Sequence, residues 1–250
     1  MDGIAGRRAV VTGGARGIGA ATCKALAEAG AEVILCDLDP AGEAAAGAIG
    51  AAFHRLDVTR EAGWEALRDA YPAWDILVNN AGIAAAGPRA QDPGSVSLDD
   101  WRAVMAVNLD GAMLGCREAL RAMAGGGAIV NVASRSAHVG VPGAPAYAAS
   151  KAALLSLTRS VALHCAAHRL PIRCNAVSPG ATRTPIWAPM LDAGADEAAL
   201  VADVPLRRFA EAGEIARTVL FLASGAASYL TGAEIAADGG LSAGPLPPGG

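Results

Sequence analysis

Tyr147 and Lys151 stand four residues apart, and Ser134 lies thirteen residues upstream of the tyrosine. A phenol with its ordinary pKa of about 10 is a poor base at neutral pH. Residues i and i+4 share one face of a helix, so an ammonium at 151 can favour a phenolate at 147. Lowering a phenol from about 10 to about 7 demands roughly 4 kcal/mol in favour of the phenolate. A serine hydroxyl alongside can hold a carbinol or carbonyl oxygen while the proton moves. The trio suits alcohol–ketone chemistry. A Tyr–Lys pair at this spacing is also an ordinary surface contact, and many serines merely end strands, so its meaning depends on the elements that position it.

Those elements alternate. Short apolar runs at 8–12, 32–37, 51–56, 75–79, 128–132, 171–177 and 234–237 read as strands. Helical stretches fall at 18–29, 40–49, 61–70, 99–123, 146–167 and 212–223, with a loop at 84–98 and a mixed region at 181–210. Strands without polar alternation, separated by helices, predict a parallel sheet covered on both faces. The expected fold is a single α/β domain over 1–250, a doubly wound Rossmann arrangement with a seven-stranded parallel sheet. The Pro- and Gly-rich end, about 244–250, reads as a mobile tail.

Thr12-Gly13-Gly14-Ala15-Arg16-Gly17-Ile18-Gly19 joins the first strand to the first helix. Glycines there allow a tight turn and let a pyrophosphate approach the backbone and the helix start. The spacing is TGxxxGxG, not GxGxxG, and a plain strand–helix turn is the competing reading. Asp37 ends the second strand, where a carboxylate accepts hydrogen bonds from an adenosine ribose and repels a 2′-phosphate. This favours NAD over NADP, although Asp37-Leu38-Asp39-Pro40 is also a good turn sequence. Arg16 can contact a phosphate. Asp57-Val58 falls where an adenine ring would rest, and Asn79-Asn80-Ala81-Gly82 closes the fourth strand with small residues that let a cofactor cross the sheet edge.

The bulk composition excludes other classes. The chain has 250 residues, 53% of them hydrophobic, and a formal net charge of -4. Without a basic stripe, nucleic acid finds little to hold. No apolar run reaches the roughly 18–20 residues of a membrane span, and no secretory segment is evident. Cys23, Cys36, Cys116, Cys165 and Cys174 are scattered, with neither CxxC nor metal-ligand spacing, as expected of reduced core residues in a cytoplasmic protein. No metal site is expected.

Taken together, these residues resemble the short-chain dehydrogenase/reductase family over about residues 6–242. The resemblance rests on TGGARGIG at 12–19, DV at 57–58, NNAG at 79–82, Asn108, Ser134, YAASK at 147–151, PG at 179–180 and TGAEIAADGG at 231–240. It implies that Tyr147 exchanges a proton with the substrate oxygen, that Lys151 tunes it and binds the nicotinamide ribose, and that Ser134 positions the substrate. It implies that Asn108, beside a helix irregularity, belongs to a proton relay. Pro179, Gly180, the Thr182 backbone and Thr184 would complete the nicotinamide side.

The segment 185–208 resembles the family's variable substrate lid. Trp187, Met190 and Leu191, with Val139 and Val141, can close an apolar pocket, and His138 can line it. For Trp187 a core-facing ring is the alternative; for His138, a solvated loop position. No arginine cluster obviously awaits an anion, though Arg135, Arg183, Arg207 and Arg208 are available. The resemblance is nearest to bacterial hydroxysteroid and alicyclic-alcohol dehydrogenases using NAD. A 3-oxoacyl carrier-protein reductase is the alternative enzyme, and a catalytically idle nucleotide-sensing scaffold the alternative of another class. The family's habit of pairing its long helices implies a homotetramer.

Overall fold

A computed structural model of the chain describes residues 3–85, 91–192 and 194–244, without the side chains of Pro189 and Met190. Part of the expected 84–98 loop and nearly all of the expected tail therefore lie outside the described residues.

Seven strands form one parallel sheet: β1 (Arg8–Thr12), β2 (Glu32–Asp37), β3 (Ala52–Arg55), β4 (Ile76–Asn79), β5 (Gly127–Val132), β6 (Ile172–Pro179) and, last in the chain, β9 (Glu234–Ala237). Their spatial order is β3-β2-β1-β4-β5-β6-β9. Every neighbouring pair is parallel. The order reverses between β1 and β4, which opens a crevice beyond their carboxyl ends.

Period-two alternation explains why both faces are covered. In β1, Ala9 and Val11 face one layer and Val10 the other, and all three are fully buried. The first layer packs α1 (Gly17–Glu28) and, later in the chain, α9 (Ala212–Ala223) through Leu26, Ile215 and Val219. The second packs α3 (Glu61–Ala70), α5 (Gly111–Ala122) and α6 (Pro145–Ala167) through Trp64, Leu114 and Cys165. Each fully buried Leu or Val contributes about 1.5–3 kcal/mol. The short helix α2 (Ala41–Gly47) lies between β2 and β3. All five cysteines are buried free thiols.

The expected helix 99–123 is interrupted. It runs as α4 (Leu98–Met105), one π turn (Ala106–Asp110) and α5. The region 181–210 contains a second, two-stranded sheet, β7 (Thr182–Arg183) against β8 (Ala210–Glu211), which ties the two ends of the lid together. Between them lie α7 (Ala188–Asp192) and α8 (Glu197–Leu200). Two-residue strands carry no periodicity, so nothing in the residue pattern announces this pair.

Candidate active site

The site is assembled along the carboxyl edge of β1, β4, β5 and β6. Ser134 follows β5 and caps a short turn, its Oγ accepting from Ser136 N at 3.1 Å. Tyr147 and Lys151 lie on the first turns of α6, whose first residue is Pro145; a proline with no N–H to satisfy suits that position. The Ser134 side chain lies near enough to the Tyr147 hydroxyl to favour its ionised form.

Lys151 is buried, and its Nζ donates to Val132 O at 2.8 Å. It stands 5.7 Å from the Tyr147 ring centroid. Burial lowers its pKa to about 8. Burial also raises the Tyr147 phenol, and the Ser134 side chain beside it opposes that shift. In the chain by itself desolvation dominates, and the phenolate needs further positive charge from a bound ligand.

Asn108 sits in the π turn and is buried. Its Oδ1 accepts from Ile83 N at 2.8 Å, and its Nδ2 donates to Ile83 O at 2.9 Å and Ser150 Oγ at 3.0 Å. Ser150 in turn donates to Tyr147 O at 2.7 Å. One amide thus clamps the chain after β4 to the helix carrying Tyr147. A Cβ on Gly82 would lie 3.3 Å from Asn108 Oδ1 and 3.4 Å from Lys151 Nζ, so the NNAG segment lies against both. Ile83 and Ser150 were not singled out from the sequence, because their roles depend on the contact between distant segments.

The glycine turn fits a dinucleotide. Gly17 has φ +57°, and a Cβ on Gly19 would fall 2.0 Å from Gly13 O. No side chain caps α1, so its first N–H groups are open to an anion. Asn80 Nδ2 braces the turn by donating to Thr12 O and Gly13 O at 2.9 and 3.0 Å, and Ala81 N donates to Thr12 Oγ1. Asp37 Oδ2 accepts from Ala15 N at 2.9 Å. Arg16 is exposed and pairs with Asp39 at 2.9 Å. Asp57 Oδ1 accepts from Thr59 N and Oγ1, and Val58 packs where Gly111 leaves room. Pro179 ends β6, and Gly180 comes so close to Asp238 that a Cβ would lie 2.8 Å from its Cα. Thr182 is buried in β7, while Thr184 packs against Gly17 and Ile18's helix start. The structure thus brings the expected cofactor residues to one edge.

The chain belongs to the short-chain dehydrogenase/reductase family. A family model described as enoyl-(acyl carrier protein) reductase matches residues 13–242. The cis-4-hydroxycyclohexanecarboxylate dehydrogenase of Sinomonas cyclohexanicum is 42% identical, covering 97% of this chain and 99% of that protein. The 3-alpha-(or 20-beta)-hydroxysteroid dehydrogenase of Mycobacterium tuberculosis is 37% identical over 96% of this chain and 91% of its own length. A solved structure described as a putative NAD(P) dependent gluconate 5-dehydrogenase from Beutenbergia cavernae, with NADP bound at low occupancy, superimposes with a TM-score of 0.88 at 36% identity, covering 96% of this chain and 98% of that one. The chain is an oxidoreductase acting on CH–OH groups.

A cavity of about 870 Å³ is walled by Arg135, His138, Val139, Asp203, Glu234 and Leu241 among others; it begins at the residue after Ser134, and neither Ser134 nor Tyr147 is on its wall. His138 is exposed at the cavity wall, and its Nε2 donates to Glu234 Oε1 at 2.6 Å. Val141 does not line this cavity. Trp187 packs edge-on against Phe209, with ring centroids 5.2 Å apart, inside a small cluster with Val201, Val204 and Leu241. It packs into the lid's own core and is not on the cavity wall. The side chain of Met190 lies outside the described residues. Among those residues no helix is long and apolar enough to cross a membrane.

Proposed function

We propose that this chain is an NAD-preferring dehydrogenase that interconverts an alicyclic or steroid-like secondary alcohol and its ketone. The observation that carries the proposal is Ser134 close to Tyr147, with buried Lys151 one helical turn on, next to an uncapped glycine turn. The alicyclic and hydroxysteroid names of the relatives favour a ring substrate.

When bound, the nicotinamide supplies the hydride acceptor or donor. Ser134 Oγ holds the substrate oxygen, and Tyr147 takes its proton in oxidation or returns it in reduction. Lys151 keeps positive charge near the phenol, with two donors left for a ribose after the bond to Val132 O. Asn108 fixes α6 against the segment after β4, and so fixes the distance between proton and hydride chemistry. Gly13, Gly17, Ile18 and Gly19 hold the pyrophosphate, and Asp57 and Val58 flank the adenine. Asp37 holds the ribose: its carboxylate would repel a 2′-phosphate, and Arg16, in the glycine turn, pairs with Asp39. The protein acts in the cytoplasm on a small molecule, as a homotetramer through exposed Met113 and Leu163 on α5 and α6.

The test is turnover with NAD and NADP against cyclic alcohols, hydroxysteroids, polyols and acyl thioesters. Faster oxidation of cyclic alcohols with NAD is expected. A tenfold or greater preference for NADP would overturn the role of Asp37, and turnover confined to acyl thioesters would favour the carrier-protein reductase. Light scattering that finds a monomer at micromolar concentration would remove the tetramer.

A further inference from the structure

Four arginines flank the substrate side, and the structure separates them. Arg183 pairs with Glu197 and, at 3.5 Å, with Glu211. Arg208 makes two bonds to Glu214, at 2.6 and 2.8 Å. Arg207 donates to Ala202 O. Arg135 forms no ion pair among the described residues, and its Nε is shut off from solvent without a hydrogen-bond partner. It follows Ser134 directly in the chain and lines the cavity of about 870 Å³.

The sealed Nε lies out of a ligand's reach, so an acceptor in the cavity would meet the terminal guanidinium nitrogens, which have no acid partner among the described residues. The acceptor that matches their planar fork is a carboxylate. Two carboxylates already face the same cavity. Glu234 is engaged by His138 and Ser178, and Asp203 is exposed; neither pairs with Arg135. Val139 and Leu241 supply apolar wall for a ring.

We propose that the cavity reads the carboxylate of a ring-bearing hydroxy acid, with Arg135 as the anchor and Val139 and Leu241 against the ring. The inference rests on the alcohol–ketone reading above and specifies its substrate: an anionic alicyclic alcohol, not a neutral one. Ser134 precedes Arg135 in the chain but is not on the cavity wall, so the carbinol must extend out of the cavity toward it. Arg135 is then a specificity residue that does no chemistry itself.

The experiment compares cyclohexanecarboxylate with cyclohexanecarboxamide, titrated calorimetrically into the protein–NADH complex. The acid is expected to bind about 10- to 100-fold more tightly than the amide, the range of a charge-assisted bond. Arg135→Gln should abolish that preference, and Arg135→Lys should keep part of it. Asp203→Asn leaves the anchor in place and should tighten acid binding by removing a competing negative charge. Equal binding of acid and amide, no binding of either, or a preference that survives in folded Arg135→Gln would overturn the proposal; so would unchanged acid affinity in Asp203→Asn. Oxidation of neutral cyclohexanol reports separately on the parent reading. Turnover of cyclohexanol without any acid preference sinks only the anion site, whereas Arg135-dependent acid binding without turnover of any alcohol sustains the anion site and sinks the parent reading.

Discussion

The glycine turn and the substrate cavity occupy the same edge of one sheet, yet they are built on opposite terms. Around the turn, Asn80, Asp37 and Arg16 are each already bonded within the chain, so the cradle is complete before anything enters it. Around the cavity, Arg135 has a nitrogen with no partner and Asp203 stands exposed. A shape made for an invariant ligand is held finished by the protein; a wall made for a particular substrate leaves bonds for that substrate to complete.

The contrast can be broken most forcefully between them, at the shared chemistry. Tyr147→Phe is expected to lower kcat about 1,000-fold, within the range for a lost general acid–base, while NADH binding, followed by fluorescence, persists. If binding disappears with turnover, the two regions are not separable as described.

A smaller effect concerns what the site costs the fold. Lys151 has a pKa of about 8 in the folded chain against 10.5 for a free lysine. Below pH 8 it is charged in both states, and the folded state bears the whole penalty of about 3 kcal/mol. Between pH 8 and 10.5 the folded protein has lost that proton and the unfolded chain has not, so stability rises with pH. Lys151→Met should therefore stabilise the chain by about 2 kcal/mol at pH 7, after allowing for the lost bond to Val132 O. Denaturant melts should show that advantage shrinking above pH 8; an advantage independent of pH would refute the account.

The smallest effect sharpens the substrate side alone. Trp187→Ala empties the lid's own cluster and should raise substrate KM by roughly tenfold, about 1.4 kcal/mol, with the dinucleotide KM unchanged. A change in dinucleotide KM instead would mean that the lid serves the cradle.

The same contrast governs what could be read in advance. The cradle is written in consecutive residues, a glycine-rich turn directly after a β-branched strand, and the Tyr147–Lys151 pair lies within one helical turn. The sheet was legible because its strands are apolar on both faces, with ends shifted by at most two residues. The cavity is drawn from residues near 135–139, 203, 234 and 241, which meet only after folding. The missing partner of Arg135 and the two-residue strands β7 and β8 are tertiary facts without a local pattern. The opposing effect of burial on the phenol could not be read in advance, because sequence spacing carries no information on desolvation.

The π turn at Ala106–Asp110 has one more consequence. A π turn fits one residue more than an α turn into nearly the same rotation, so Leu114 and Ala119 keep their places against the sheet while the widened turn carries Asn108. A chain shortened by one position there could keep the phase of its helix and its core, yet it would lose the turn that presents the amide to Ile83 and Ser150.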